Sequence, residues 1–135
     1  MMMMLRMAAC VFVVILQLTT MMVNHHVTCI PTVVTMTNAL PGESLHVNCH
    51  SKDDDLGWHI VSYNSSYKIT FEDSFWGTTV FACEFNAGTQ YHTTSIIVFQ
   101  GYAYWGTMPC YAKCTWSVSP LGFFDNGVFK TSWAP

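Results

Sequence analysis

The chain has 135 residues, which is enough for one ordinary domain, and 51% of them are hydrophobic. Five Lys and Arg residues stand against eight Asp and Glu residues, so the formal net charge is −3. Nucleic-acid binding needs clustered positive charge, and binding to a membrane surface needs a basic amphipathic stretch. The composition therefore argues against both classes of partner.

The first segment has the form of a secretory signal peptide. A single positive charge, Arg6, precedes an apolar run from Met7 to Leu18. The run is shorter than the about 20 apolar residues that a membrane-spanning helix needs. We expect a signal peptide over residues 1–29, cleaved between residues 20 and 29, and a secreted domain over residues 30–135 that does not insert into a membrane. The weaker alternative is a buried or amphipathic N-terminal helix.

Period-two alternation of apolar and polar residues, which is typical of β-strands, recurs after the leader. Strands are predicted around Leu45–Cys49, Tyr67–Phe71 and Phe81–Phe85, and over Tyr91–Gln100 and Cys110–Ser119. Turn-forming residues cluster at 41–42, 53–57, 64–66, 86–88 and 120–122. The pattern predicts an all-β fold, a small antiparallel β-sandwich.

The six cysteines stand at positions 10, 29, 49, 83, 110 and 114, and the first lies in the leader. Export brings the others into an oxidising compartment, where they are expected to pair. Cleavage after Cys29 leaves four cysteines with three possible connectivities, whereas earlier cleavage leaves one more that is free or bridges two chains. By strand parity Cys49, Cys83, Cys110 and Cys114 all point to the interior, where disulfides join strands or sheets.

Two groups of polar residues bear on metal binding. Asp53, Asp54 and Asp55 offer oxygen ligands for calcium, but three successive residues of an extended chain do not all face one ion. His46 and His50 are separated by roughly 13 Å along a strand, which is too far for a shared ion. The chain also lacks a nucleophile elbow, a zinc-protease motif and a phosphate loop. We expect no metal, no cofactor, no catalytic residue and no enzymatic activity.

Two further features concern the surface. Asn64-Ser65-Ser66 is the one Asn-x-Ser/Thr sequence of the chain, and it lies in a predicted turn, so Asn64 is a candidate glycosylation site. The segment Thr93–Met108 carries no charge. Its rings Phe99, Tyr102, Tyr104 and Trp105 form a candidate contact surface, and the alternative is that they cover the sandwich edge.

Two blocks carry the most specific motifs of the chain. Cys49 is followed by Ser-Lys-Asp-Asp-Asp-Leu-Gly over residues 51–57, and Phe-Trp-Gly-Thr-Thr over residues 75–79 runs on towards Cys83. A later pair of cysteines then precedes Trp116. In this order the blocks resemble the plant self-incompatibility protein family, the S-protein homologues. The resemblance covers residues 32–133.

The resemblance implies a secreted β-sandwich with four paired cysteines and no known catalytic activity. It also implies an extracellular, monomeric ligand for a cell-surface protein receptor, acting in reproductive tissue with or without a role in self-incompatibility. The exposed loops Asp53–Leu56 and Asn64–Ser66 are expected to contact that receptor. Cys29 departs from the four-cysteine pattern and, if retained, bears on the monomeric state. The alternative function is a secreted hydrolase or antimicrobial protein that acts without a receptor.

Overall fold

A computed structural model describes residues 31–72, 77–101 and 113–135, and these residues form an all-β structure. The strands are β1 Thr32–Asn38, β2 Leu45–His50, β3 Asp55–Val61, β4 Ser66–Phe71, β5 Val80–Ala87, β6 Tyr91–Gln100, β7 Lys113–Ser119, β8 Gly122–Asp125 and β9 Val128–Thr131. In this described part of the chain there is no helix that is long and apolar enough to cross a membrane.

The strands form two sheets. Sheet A has the strand order β4-β1-β7-β8-β9, and sheet B has the order β3-β2-β5-β6. All pairings between the named strands are antiparallel except that of β1 with β7, which run parallel with Thr35 beside Thr115. Between β1 and β7 the chain passes to sheet B for β2 and β3, returns to sheet A for β4 and passes again to sheet B for β5 and β6. This long connection permits a parallel neighbour. The predicted all-β sandwich is confirmed, with that parallel pair as its departure from a purely antiparallel fold.

The core lies between the two sheets because each main strand turns alternate side chains inward. In β1, Val34 and Met36 are fully buried while Thr35 between them is half-buried. In β5, Phe81, Cys83 and Phe85 are buried in the same alternation. This is the burial pattern of strands that have one face on the core and one face towards water.

A disulfide inside the core joins two neighbouring strands of sheet B. Cys49 of β2 lies directly opposite Cys83 of β5, and the two are bonded across a sequence separation of 34. In the loop-entropy model a bridge of this span stabilises the fold by about 3–4 kcal/mol. Met36 of sheet A places its Sδ 3.8 Å from Cys49 Sγ and 3.7 Å from Cys83 Sγ, so the bridge also packs against the facing sheet.

Of the remaining cysteines, only Cys114 lies in the described part of the structure. Cys114 is buried in β7 and is disulfide-bonded. Cys110 and Cys29 lie outside the described residues, as does the whole predicted leader. The signal peptide, its cleavage point and the domain boundary at residue 30 therefore stay predictions.

The predicted strands correspond to β2, β4, β5, β6 and β7, and the last is described from Lys113 onward. Strands β1, β3, β8 and β9 are additional. The prediction of a turn over residues 53–57 is wrong for its second half, because Asp55, Leu56 and Gly57 already belong to β3. The sequence does not predict β3 as a strand because β3 begins with a polar residue and contains a glycine. Its residues are exposed or half-buried, except for Val61 at its end, which is buried.

Candidate recognition surface

The outer face of sheet B aligns side chains from four strands in one row. Trp58 of β3, Asn48 of β2, Glu84 of β5 and Ser95 of β6 stand side by side in this row. The Oδ1 atom of Asn48 is buried and has no hydrogen-bond partner among the described residues. The row therefore runs from an exposed indole at one edge of the sheet, through an amide and a carboxylate, to a hydroxyl at the other edge.

Large apolar side chains are exposed along β3, the edge strand of this face. Leu56 is 37% exposed, Trp58 51% and Ile60 70%, and we call these three residues the β3 strip. Tyr63, just beyond the end of the strand, is 46% exposed. Single exposed apolar residues are ordinary, but a continuous run on one strand is typical of a surface that meets a partner.

The acidic residues predicted as a contact loop lie immediately before the strip. The amide of Ser51 donates to the carbonyl oxygen of Asp54 at 2.8 Å, and the Asp54 amide is 3.3 Å from Ser51 Oγ. The side chains of Asp53 and Asp55 are exposed, and that of Asp54 is half-buried. We call Asp53–Asp55 the acidic turn. Among the described residues no three His, Cys, Asp or Glu side chains form a group that could hold a metal ion.

A β-bulge links the acidic turn to the strip. Asn48 pairs with Trp58 and His50 pairs with Asp55. Leu56 and Gly57 of β3 therefore both lie opposite Cys49 of β2. Gly57 has φ of 74°, a conformation that suits glycine, and its amide donates to Asp55 Oδ1 at 3.1 Å. The bulge gives the strand a defined start.

The inner side of β3 is held against sheet A. The His59 ring stacks on Tyr67 of β4 with ring centroids 4.4 Å apart, and its Nε2 lies 2.9 Å from the Leu56 carbonyl oxygen. Partial burial raises the pKa of the Tyr67 hydroxyl above its ordinary value. These contacts hold the strand in place, so its outer side chains are presented on a rigid support.

The predicted glycosylation site lies in the turn that follows β3. Asn64 is exposed and has φ of 63°, and its backbone amide donates to the Asn38 carbonyl oxygen at 2.8 Å. Ser66, the third residue of the sequon, has its Oγ 2.7 Å from Thr37 Oγ1. The backbone of the turn is thus anchored while the Asn64 side chain stays accessible.

The two predicted contact loops therefore lie at the two ends of one strand, with the acidic turn at the start of β3 and Asn64 after its end. Sequence reasoning missed Trp58 and Ile60 between them, although Leu56, Trp58 and Ile60 recur at the period of a strand. The prediction of Phe99 as a contact ring is wrong, because Phe99 lies in β6 and is buried in the core. The other predicted contact residues, Tyr102, Tyr104 and Trp105, lie outside the described residues, as do Cys110, Phe75 and Trp76.

Comparison with known proteins shows what this fold and its motifs are similar to. The family model of plant self-incompatibility protein S1 matches residues 33–133. S-protein homolog 5 of Arabidopsis thaliana is 35% identical over 91 residues, covering 67% of this chain and 67% of the relative. S-protein homolog 29 of the same plant is 35% identical over 103 residues, covering 73% of this chain and 70% of the relative.

A solved structure has the same fold. It comes from SPH (self-incompatibility protein homologue) proteins, a widespread family of small, highly stable, secreted proteins from plants. The likeness has a TM-score of 0.57 at 16% sequence identity and covers 82% of this chain and 95% of that chain. The chain therefore belongs to the plant self-incompatibility protein S1 family, the S-protein homologues, which are small secreted proteins.

Proposed function

We propose that this chain acts outside the cell as a ligand for a cell-surface protein in plant reproductive tissue. Membership of a family of small secreted proteins supports the extracellular site of action. The observation that carries the proposal is the β3 strip, where three large apolar side chains stand exposed on one strand. Protein partners bury such side chains, and aromatic residues contribute most strongly to their interfaces.

The strip lies on a rigid scaffold, as a recognition surface requires. A strand that is held by its neighbour and by the His59–Tyr67 stack loses little conformational entropy when a partner binds. The acidic turn adds charge beside the strip and favours encounter with a basic partner. A monomeric ligand with this surface needs no cofactor and no catalytic residue.

Binding of the labelled secreted chain to pollen, pistil and leaf cells tests this proposal. We expect saturable binding to cells of reproductive tissue and a loss of at least about tenfold in affinity for the double variant Trp58→Ser, Ile60→Thr. Leu121→Ser is the matched control because Leu121 is 74% exposed and lies in the turn between β7 and β8. That variant is expected to bind as the parent chain does.

The same experiment separates the ligand role from the alternative. If no plant cell bound the chain saturably, and the chain degraded RNA, glycan or peptide, a secreted hydrolase would replace the ligand. Killing of microbial cells without any saturable plant binding would point instead to an antimicrobial protein.

We further propose that Asn64 carries an N-linked sugar in the secreted product. Its exposed position in a turn supports access by the transferase. The intact mass of the product, measured before and after deglycosylation, should fall on enzymatic removal of the sugar, and Ser66→Ala should abolish the difference. The same masses, compared before and after reduction, would give the cleavage point and reveal any covalent dimer through Cys29.

A further inference from the structure

We infer that the partner binds by adding an extended strand of its own to the free edge of β3, and that this strand carries basic residues beside an apolar stretch. The inference rests on the proposed role as a ligand and names the binding mode and the chemistry of the partner. It follows from the direction of the backbone groups, the state of the other sheet edges and the charge beside the strip.

The Cys49–Cys83 pair shows in which direction the backbone N–H and C=O groups of β2 point. The Cα atoms of Cys49 and Cys83 lie 4.0 Å apart, the close spacing of a non-hydrogen-bonded pair in an antiparallel sheet. Cys49 therefore directs its N–H and C=O away from β5 and towards β3. Because this direction alternates along a strand, the backbone groups of Val47 also point towards β3, whereas those of His46 and Asn48 point towards β5.

The alternation carries across to the edge strand. Val47 pairs with His59, so His59 exchanges hydrogen bonds with β2. Trp58 and Ile60 pair with Asn48 and His46, whose backbone groups face the other way, so their own N–H and C=O groups point out from the sheet. Since β3 has a neighbour on one side only among the described strands, Trp58 and Ile60 offer two donors and two acceptors at this free edge. The same two residues contribute side chains to the β3 strip.

The other edges of the two sheets carry features that discourage strand addition. Lys68 stands in the middle of β4, and Lys130 lies in β9 at a register shift. In β6 there is a bulge at Val98, and His92 is bridged to Ala134. Central charges, bulges and covering segments are the usual means of protecting an edge. Beyond its bulge, β3 has no charge, proline or covering segment from Trp58 to Ile60 in the described structure.

Charge decides what kind of strand fits. The acidic turn lies at the start of β3 and needs positive charge opposite it when a partner excludes water. A second copy of this chain, added antiparallel and centred on His59, would place Tyr63 and Asn64 opposite Asp55 and Asp54, and neither is a cation. A sugar would use an aromatic platform, but Trp58 is flanked on the strip by two aliphatic side chains. A peptide segment that carries basic residues beside an apolar stretch would place positive charge opposite the acidic turn and cover the β3 strip.

The test uses the full secreted chain, labelled with ¹⁵N, and a synthetic probe peptide of alternating Val and Thr followed by three Lys. We expect the probe to slow hydrogen exchange at the amides of Trp58 and Ile60, and a peptide ending in three Glu to bind at least about tenfold more weakly at low salt. Ile60→Pro removes one outward N–H while sparing the bonds to β2, and should lose probe binding. Ile60→Val keeps that donor and should bind as the parent chain does.

A second variant covers the case in which Ile60→Pro does not fold. The triple variant Asp53→Asn, Asp54→Asn, Asp55→Asn keeps an oxygen acceptor for the Gly57 amide and should abolish the preference for the Lys-ended probe. Its control is Glu84→Gln, two strands away on the same face, which should keep the preference.

Three results would overturn the inference. The first is equal binding of the two probes, and the second is slowed hydrogen exchange on another edge strand. The third is slowed exchange of the Trp58 amide in the concentrated chain without a probe, which would identify a second copy as the partner. The ligand role is judged separately. If plant cells bound the chain saturably and equally well with Ile60→Pro or the triple variant, the strand-addition mode would fail and the ligand role would stand. If the probe bound as expected but no cell did, the ligand role would fail.

Discussion

The indole Nε1 of Trp116 donates a hydrogen bond of 3.1 Å to the carbonyl oxygen of Val98, and this bond joins β7 of sheet A to β6 of sheet B. The acceptor is available because β6 contains a bulge. Phe81 pairs with Phe99 and Ala82 pairs with Ile97, so Val98 is left without a partner residue on β5. The bulge releases a strand carbonyl from its own sheet and turns it into a contact between the two sheets.

Replacing Trp116 by Phe keeps a large ring in the core and removes the donor. The Val98 carbonyl would then be buried without a partner, so we expect the free energy of unfolding to fall by about 1–3 kcal/mol. Urea unfolding measures the change. Trp58→Phe is the matched control, because this exposed indole lies on the outer face, and it should change stability by less than about 0.5 kcal/mol. Equal losses in the two variants would show that the Val98 bond is not what stabilises the packed sheets.

Asn38 is a second link between the sheets and is fully buried at the end of β1. Its Nδ2 donates to the carbonyl oxygens of Glu43 at 2.8 Å and Val61 at 2.9 Å, and its Oδ1 accepts from the Leu40 amide at 2.8 Å. The amide therefore ties β1 of sheet A to β3 of sheet B and to the loop before β2. It also sets where β3 ends, next to the candidate recognition surface.

Asn38→Asp is expected to destabilise the fold by about 3 kcal/mol or more at neutral pH, because a carboxylate would face two carbonyl oxygens without a donor. At acid pH a protonated carboxyl can donate once, so part of the loss should be recovered. Asn48→Ala is the control, since Asn48 Oδ1 has no hydrogen-bond partner in the described structure, and this variant should be neutral or stabilising. Urea midpoints at two pH values would decide, and a loss in Asn38→Asp that does not shrink with acid would contradict the account.

Much of the fold is predictable from local sequence, because a half-buried strand reveals itself through alternation. β2 and β5 have clear apolar and polar contrast, and the interior position of Cys49 and Cys83 follows from the parity of those strands. β1 alternates Thr with Val and Met, which gives weaker contrast. The parallel pairing of β1 with β7 depends on residues about 80 apart in sequence and has no local signal.

The recognition surface is less predictable for a related reason. β3 exposes most of its residues, so it lacks the buried face from which strand predictions are made. The outward direction of the Trp58 and Ile60 backbone groups depends on register two strands away, at the Cys49–Cys83 pair. By contrast, Asn126-Gly127 is a strong hairpin signal between β8 and β9, and the two positive φ angles found there agree with it. The strands on either side of this turn have four residues each, which is too few to show a clear alternation.

Asp125, which is only 2% exposed, gives the fold a defined pH dependence. Desolvation raises the pKa of its carboxyl above the ordinary value, and Lys130 offsets part of the rise. Within the described part of the chain, its Oδ1 atom has no hydrogen-bond partner. Because the folded-state pKa lies above the unfolded-state value, the ionised carboxylate costs stability at neutral pH. That cost is relieved as pH falls through the folded-state pKa towards the unfolded-state value.

Asp125→Asn removes the titration, so its stability relative to the parent chain should improve as pH rises. We subtract the free energy of unfolding of the parent chain from that of the variant, each measured by urea unfolding. This difference is expected to be about 1 kcal/mol more favourable to the variant at pH 7 than at about pH 4. Asp53→Asn is the control in the exposed acidic turn. A difference between Asp125→Asn and the parent chain that did not change with pH would show that the buried carboxyl is not linked to folding.

Gly122 opens β8 at a point where no side chain fits. Its φ is 138°, and a Cβ there would overlap the carbonyl oxygen of Thr131 and come within 2.9 Å of the Ser132 Cα. The backbone after β9 passes directly over this glycine. Beyond it, Trp133 donates from Nε1 to the Ser119 carbonyl oxygen at 2.9 Å and packs on Phe123. The close approach at Gly122 therefore positions the segment that seals this end of the core.

Gly122→Ala should force that segment away and cost about 2–4 kcal/mol, which combines steric overlap with an unfavourable backbone conformation. Gly42→Ala is the matched control, because Gly42 also has a positive φ of 76° but no atom of the described residues lies within 4 Å of its Cβ position. It should lose only about 1 kcal/mol, the conformational part of the cost. Urea unfolding gives both values, and the tryptophan near-ultraviolet circular dichroism should change in Gly122→Ala alone. Equal costs at the two glycines would mean that the crossing over Gly122 is loose enough to admit a methyl group.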